Sequence, residues 1–308
     1  MKKFTPASIA AAAVLLVLAP GISRADVVTG TITDPTGNFA VGISYFGELF
    51  DPNSGTGFIR LADSYDPLLP GTPRDSWGIS GAVSGSAYAD YTNYGDVNVT
   101  SVNTYGANSA VVSAVVPGYT VYMNYVFGAA NVLEIQTTIT NTSGVAQDTL
   151  FQRDVDWDVY PTEFNENSFA NPVSGNVIDS SYDGFESPDP SQPYYSSCFS
   201  GCNQTGDLGG GIKLDLGVLA PNQTSSFTFY YGISQTGEDV NGLISQVQGL
   251  GATYYVGTQS SENGGYPNLG ANSAIIAVGS STPEPATFGL LAAGIGLLGA
   301  LARRRKKA

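Results

Sequence analysis

Thr120-Val121-Tyr122-Met123-Asn124-Tyr125-Val126, followed after a short break by Val132-Leu133-Glu134-Ile135-Gln136-Thr137-Thr138-Ile139, is the stretch that decides the fold. Apolar and polar side chains alternate through both runs, and a strand sends successive side chains to opposite faces. Each run therefore reads as a strand with one buried and one wetter face. Working outward, the same period of two marks Val41–Phe46, Val97–Val102, Thr149–Val159, Ile212–Leu219 and Ser226–Ile233. Pro117-Gly118, Asn141-Thr142-Ser143-Gly144 and Pro221-Asn222 punctuate these runs as turns. Short strands without intervening helices predict an all-β fold, a large antiparallel β-sandwich that could extend to a supersandwich-like form. One segment departs from the pattern. Glu238–Leu250 carries Val240, Leu243, Ile244 and Val247 at helical spacing behind two acids, so one short amphipathic helix is expected there. Residues 161–211, rich in Gly, Ser, Asn and Pro, predict a long irregular excursion from the sandwich.

The two ends have a different character. Met1-Lys2-Lys3 precedes an apolar run over 9–19, then Pro20-Gly21 and Ser23-Arg24-Ala25. A positive head, an apolar helix too short to span a bilayer and small residues before a junction are the parts of a secretory signal peptide, here 1–25, cut after Ala25 by signal peptidase. At the other end, Pro283-Glu284-Pro285 is followed by an uncharged span, 286–302, and by Arg303, Arg304, Arg305, Lys306 and Lys307. At about 1.5 Å per residue the span would just cross a thin hydrocarbon core as a transmembrane helix. The cations after it would hold that end on the cytoplasmic side.

That order of motif, weakly apolar helix and basic terminus resembles the PEP-CTERM sorting signal. The resemblance covers about 281–308, with Thr282 where the family often has Val. It implies processing by an exosortase, a transient membrane anchor at 280–308, and delivery to the cell surface or beyond it in a bacterium that makes extracellular polysaccharide. The phrases at 57–80 and 151–164 also resemble, more loosely, large β-sandwich domains of exported bacterial proteins without known activity.

Between the ends lies a domain expected over 26–279. It keeps four cations (Arg60, Arg74, Arg153 and Lys213) against 25 acids, a net charge of −21. A field of that sign repels nucleic acid and anionic lipid, so no nucleic-acid partner is expected, and the membrane is met only through the C-terminal helix before processing. The chain has no histidine, which removes His-based triads and His-ligated metals. Cys198 and Cys202, in an exported chain, are expected to form a local disulfide.

Two clusters could carry chemistry. Asp154, Asp156 and Asp158 share one face of a strand, with Val155, Trp157 and Val159 on the core side, and Glu163 and Glu166 follow beyond Pro161. Three readings stay open for the aspartates: a solvated strand face, a Ca²⁺ or sugar contact, or a carboxylate pair for glycoside cleavage. No other cofactor is expected. The second cluster, Arg60, Asp63, Asp66, Arg74, Asp75 and Trp77, reads either as a buried Arg–Asp pair holding a loop or as a polar ligand site with Trp77 as a stacking platform. The functional expectation is a non-enzymatic matrix or adhesive protein associated with exopolysaccharide or biofilm. The alternative is a carbohydrate-binding module or carbohydrate-active enzyme using 154–166.

Overall fold

A computed structural model describes residues 29–261 and 272–283, with side chains described to residue 279. The signal segment, Glu284, Pro285 and the apolar and basic parts of the tail lie outside the described residues. The chain begins with β1 (Gly30–Thr33), β2 (Phe39–Ile43) and β3 (Phe58–Arg60), a small antiparallel sheet in the order β1-β2-β3. Next come β4 (Asp75–Gly81) and β5 (Gly85–Ala89), then the meander β6 (Thr100–Tyr105), β7 (Ser109–Val116), β8 (Tyr119–Ala129) and β9 (Val132–Asn141). The strand β10 (Gln147–Asp156) leads to β11 (Glu166–Pro172), β12 (Val177–Ser181), β13 (Ser200–Gly206), β14 (Gly209–Leu219) and β15 (Thr224–Ile233). Helix α1 (Val240–Gly249) precedes β16 (Ala252–Gln259) and β17 (Ser273–Pro283).

The strands assemble into a five-stranded sheet, β12-β14-β10-β4-β5, facing a nine-stranded sheet, β13-β11-β16-β17-β15-β9-β8-β7-β6. All pairings are antiparallel. The two alternating runs that open the sequence argument are the paired strands β8 and β9, with Val121 opposite Ile139 and Tyr125 opposite Ile135, all four buried. The inward face of β15, which pairs with β9, meets β10 through aromatic packing. Phe151 lies 5.1 Å from Phe227 and 6.0 Å from Phe229, and stacks on Trp77 at 6.1 Å. Aromatic pairs at these separations add to the burial of their area.

On the far face of the nine-stranded sheet lies α1. Asp239 caps it by accepting a hydrogen bond from the Gly242 amide. Val240, Leu243, Ile244 and Val247 pack on Val132, Tyr230, Ile275 and Ala277. The helical spacing in the sequence and the observed buried stripe coincide.

Two buried ion pairs lie in and beside the sandwich. Arg153 on β10 meets Asp75 on β4 at 2.5 Å with both side chains fully buried. Asp75 also accepts from the Tyr231 hydroxyl (2.7 Å) and the Leu49 amide (2.8 Å). Burial works against the Arg153 charge, but the Asp75 carboxylate beside it prevails and raises its pKa well above the ordinary value. Arg74 meets Asp90 at 2.9 Å, also fully buried, and lies over the Phe185 and Tyr94 rings. With Arg60 and Lys213 each about 5 % exposed, every cation of the described region is inside, and the acids alone charge its surface.

Residues 161–211 depart from the expected irregular excursion, since they contain β11, β12, β13 and the start of β14. Beyond short turns at 161–165 and 173–176, the long irregular part is about 182–199, and it folds back over the outer face of the five-stranded sheet. Gln152 donates to the Ser187 carbonyl at 2.5 Å, and Arg74 to the Glu186 carbonyl at 2.6 Å. A Cβ on Gly184 would stand only 2.5 Å from the Asp156 Cα, so glycine is what lets this segment lie directly on β10. Cys198 and Cys202 form the expected disulfide near its end.

Candidate functional site

Asp154, Asp156 and Asp158 alternate with Val155, Trp157 and Val159 as the sequence predicts, and the latter three are fully buried. The aspartates are buried as well, at 0, 5 and 2 % exposure, which overturns the solvated-face reading. The 182–199 segment covers Asp154 and Asp156, and the 67–71 stretch with Phe164 closes over Asp158. Neither do the three converge. Same-face residues on a strand stand about 6.6 Å apart per step, so a single strand cannot wrap three carboxylates around one ion. Asp154 accepts from Gln152 at 2.8 Å, and burial pushes its carboxyl up to about 7 against the opposing pull of Arg74. Asp158 turns elsewhere.

Asp158 reaches the floor of a cleft of about 400 Å³, where the two sequence clusters partly meet. Arg60, Asp63, Ser64, Tyr65, Asp66 and Pro70 line it together with Asp158, Tyr160, Glu163 and Asn272. The Asp158 amide donates to the Pro67 carbonyl (2.8 Å), Arg60 to the Asn272 side chain (3.2 Å), and Asn272 to the Tyr160 carbonyl (3.0 Å). Asp63 holds Arg60 through two hydrogen bonds, 2.9 and 2.6 Å, and the guanidinium lies 4.7 Å over the Tyr65 ring. The guanidinium keeps the Asp63 carboxyl below its usual range. Asp66 spends its carboxylate on the amides of Gly57, Phe58 and Leu68, shaping the loop, while burial raises it to about 6. Tyr160 is 57 % exposed, and the buried Tyr65 hydroxyl finds no partner among the described residues. Ser64 and Phe164 both sit at positive φ, 59° and 68°, a conformation that bulky residues rarely adopt and that concentrates at ligand-contacting loops.

Arg74 and Trp77, grouped with this cluster by sequence, lie elsewhere. Trp77 is fully buried against Phe151 and donates to the Phe46 carbonyl at 2.8 Å, so its ring is closed to a ligand. Arg74 is bound to Asp90, the plain structural reading of an Arg–Asp pair, though with a partner outside the predicted cluster.

A second group lies behind Asp158. One carboxylate oxygen each from Asp158, Glu166 and Asp207 fall within 4.8 Å of one another. These acids come from the chain just after β10, the first residue of β11 and the β13–β14 turn. Burial, then the Asp207 charge, push the Asp158 carboxyl up to about 7. Burial and Asp158 lift Glu166 to about 8, although the Val159 and Leu208 amides donate to its oxygens. Asp207 has no signal in the sequence, since an acid in a Gly-flanked turn is commonplace.

A galactose mutarotase-like protein from Lactobacillus casei ATCC 334 is similar in fold at 12 % identity and a TM-score of 0.37, over 81 % of this chain and 87 % of that one. A candidate aldose 1-epimerase from Escherichia coli K12 gives 12 % identity and 0.37, over 82 % and 87 %. No curated protein matches the sequence. Among the described residues no helix is long and apolar enough to cross a membrane. Residues 281–306 match the PEP-CTERM protein-sorting motif. Residues 281–306 thus carry a PEP-CTERM sorting signal, which marks the chain as an exported protein sorted by exosortase and anchored only transiently in the membrane.

Proposed function

We propose that this is a non-catalytic component of the cell-surface polysaccharide matrix, cut by signal peptidase after Ala25, and that the Tyr160 cleft binds a glycan. The observation that carries the reading is the cleft itself. It combines an exposed tyrosine ring with the hydroxyl-accepting carboxylates Asp63 and Glu163 and with Arg60, which is the mixture that sugar hydroxyls and sugar faces take. The charge pattern narrows the ligand. A surface whose cations are all internal repels uronic-acid polymers, so the glycan is neutral. The test is an array of neutral and acidic oligosaccharides probed with the full chain in detergent. Neutral glycans should be retained, and Tyr160→Ala should weaken retention about two- to tenfold, the equivalent of an aromatic contact worth about 0.5–1.5 kcal/mol. No retained glycan, or retention unchanged by both Tyr160→Ala and Glu163→Gln at unchanged melting temperature, would refute the reading.

A further inference from the structure

We infer that Asp158, Glu166 and Asp207, with Asp156 beside them, form a Ca²⁺ site. This goes beyond the glycan reading and stands or falls separately from it. The acids arrive from three separate segments and present oxygens within 4.8 Å of one another, a spacing at which ligand atoms around one ion are found. The proximity alone would mean little, because acidic groups cluster without ions.

Two further observations point to a ligand. Oδ1 of Asp158, a residue 2 % exposed, has no hydrogen-bond partner among the described residues. Asp156, 5 % exposed, stands beside the set, and the like charges bearing on it are Asp158, Asp207 and Glu166. A buried carboxylate oxygen without a donor is costly, and more so beside other acids with no cation between them. Arg74, the cation that acts most on Asp156, is already held by Asp90.

The chemistry of the set selects the ion. Every side chain in it is a hard oxygen donor, so Ca²⁺ or Mg²⁺ fits rather than a thiophilic metal. Glu166 already accepts from two backbone amides, which leaves irregular directions for coordination. Ca²⁺ tolerates irregular geometry and completes its shell with water, whereas Mg²⁺ demands a near-ideal octahedron. Asp207 is exposed and opens the site to solvent. Sites of this extracellular kind bind with a Kd of about 10⁻⁴–10⁻³ M.

Trp157 provides the probe, because it is fully buried and lies in the chain between Asp156 and Asp158. Tb³⁺ bound at the site should emit on tryptophan excitation. The full chain, purified in detergent and stripped with EDTA, is titrated with Tb³⁺ and then with Ca²⁺ in NaCl-matched buffer. The expected result is one saturable emission that Ca²⁺ displaces. Asp207→Asn should weaken it by about tenfold or more, since charge count sets affinity at such sites. Asp207 is exposed, so this variant keeps the fold; Asp215→Asn, exposed on β14, serves as the control and should leave the titration unchanged. The absence of saturable emission, failure of Ca²⁺ to displace it, or equal affinity in Asp207→Asn would each overturn the site. Because glycan retention is read with Tyr160→Ala, the two proposals can fail independently.

Discussion

Replacing Asp75 with Asn keeps the shape of the side chain but leaves the Arg153 guanidinium without its counterion at the centre of the sandwich. In the native protein Asp75 accepts three hydrogen bonds, from Arg153, Tyr231 and the Leu49 amide, at 2.5, 2.7 and 2.8 Å. Both charged side chains are fully buried, so no water can replace the lost charge. Breaking a buried pair from one side costs about 3–5 kcal/mol, most of it the penalty for a stranded charge. In a domain of this size each kcal/mol lowers the melting temperature by about 2–4 °C, so Asp75→Asn should lower it by about 6–20 °C. Scanning calorimetry of the full chain measures this directly. Tyr231→Phe removes two hydrogen bonds, the one its hydroxyl donates to Asp75 and the one it accepts from Arg153 Nε, each worth about 1 kcal/mol, and should cost about 4–8 °C. The double variant Asp75→Asn with Arg153→Met removes the stranded charge and places a flexible apolar chain near Met123, which already lies 3.6 Å from the guanidinium. It should therefore be more stable than Asp75→Asn alone. A melting temperature for Asp75→Asn within about 2 °C of the parent, or a double variant less stable than the single one, would refute the reasoning.

Three further outcomes follow from the same physics. Burial, then the Asp96 charge, raise Glu48 to about 8, and burial raises Asp66 to about 6, so both keep their protons when folded at pH values where the unfolded chain has lost them. Stability then falls as pH rises from about 4 through those values, by up to about 1.4 kcal/mol per unit per group; the melting temperature in EDTA should be higher at pH 5 than at pH 8, and Glu48→Gln should make the pH 6–8 limb less steep, the rest of it coming from Asp154, Asp158 and Glu166. Thiol titration of the denatured, unreduced protein should find no free thiol, because Cys198 and Cys202 are paired, and reduction should cost no more than about 2 kcal/mol for so short a closed loop. Intact-mass analysis of the protein recovered from its own host should show that both 1–25 and the tail beyond the Pro283-Glu284-Pro285 region are gone; a full-length species as the main form would count against sorting.

What the sequence determined by itself is what short-range periodicity and terminal motifs can encode. The alternation in 120–139 specifies two paired strands because side chains two apart share a face, and the inward set of Val155, Trp157 and Val159 follows from the same rule. The helix was legible for its 3.6-residue stripe behind Glu238 and Asp239, and the disulfide for its four-residue separation in an exported chain. The sorting tail needs no fold at all, since its reader recognises the order of motif, apolar span and cations. Period two, however, says only that Asp154, Asp156 and Asp158 share a face, and not what covers that face. The cover over Asp154 and Asp156 comes from 182–199, placed there by contacts such as Gln152 to Ser187, 35 residues apart. Tertiary structure also decided that Arg74 and Trp77 go to the interior while Arg60 and Asp63 line a cleft with Asp158 and Glu163. A local pattern carries no record of contacts about 100 residues apart. Asp207 joins Asp158 and Glu166 for the same reason: antiparallel pairing of β14 with β10, and of β13 with β11, carries the turn between β13 and β14 to the place where β10 ends and β11 begins.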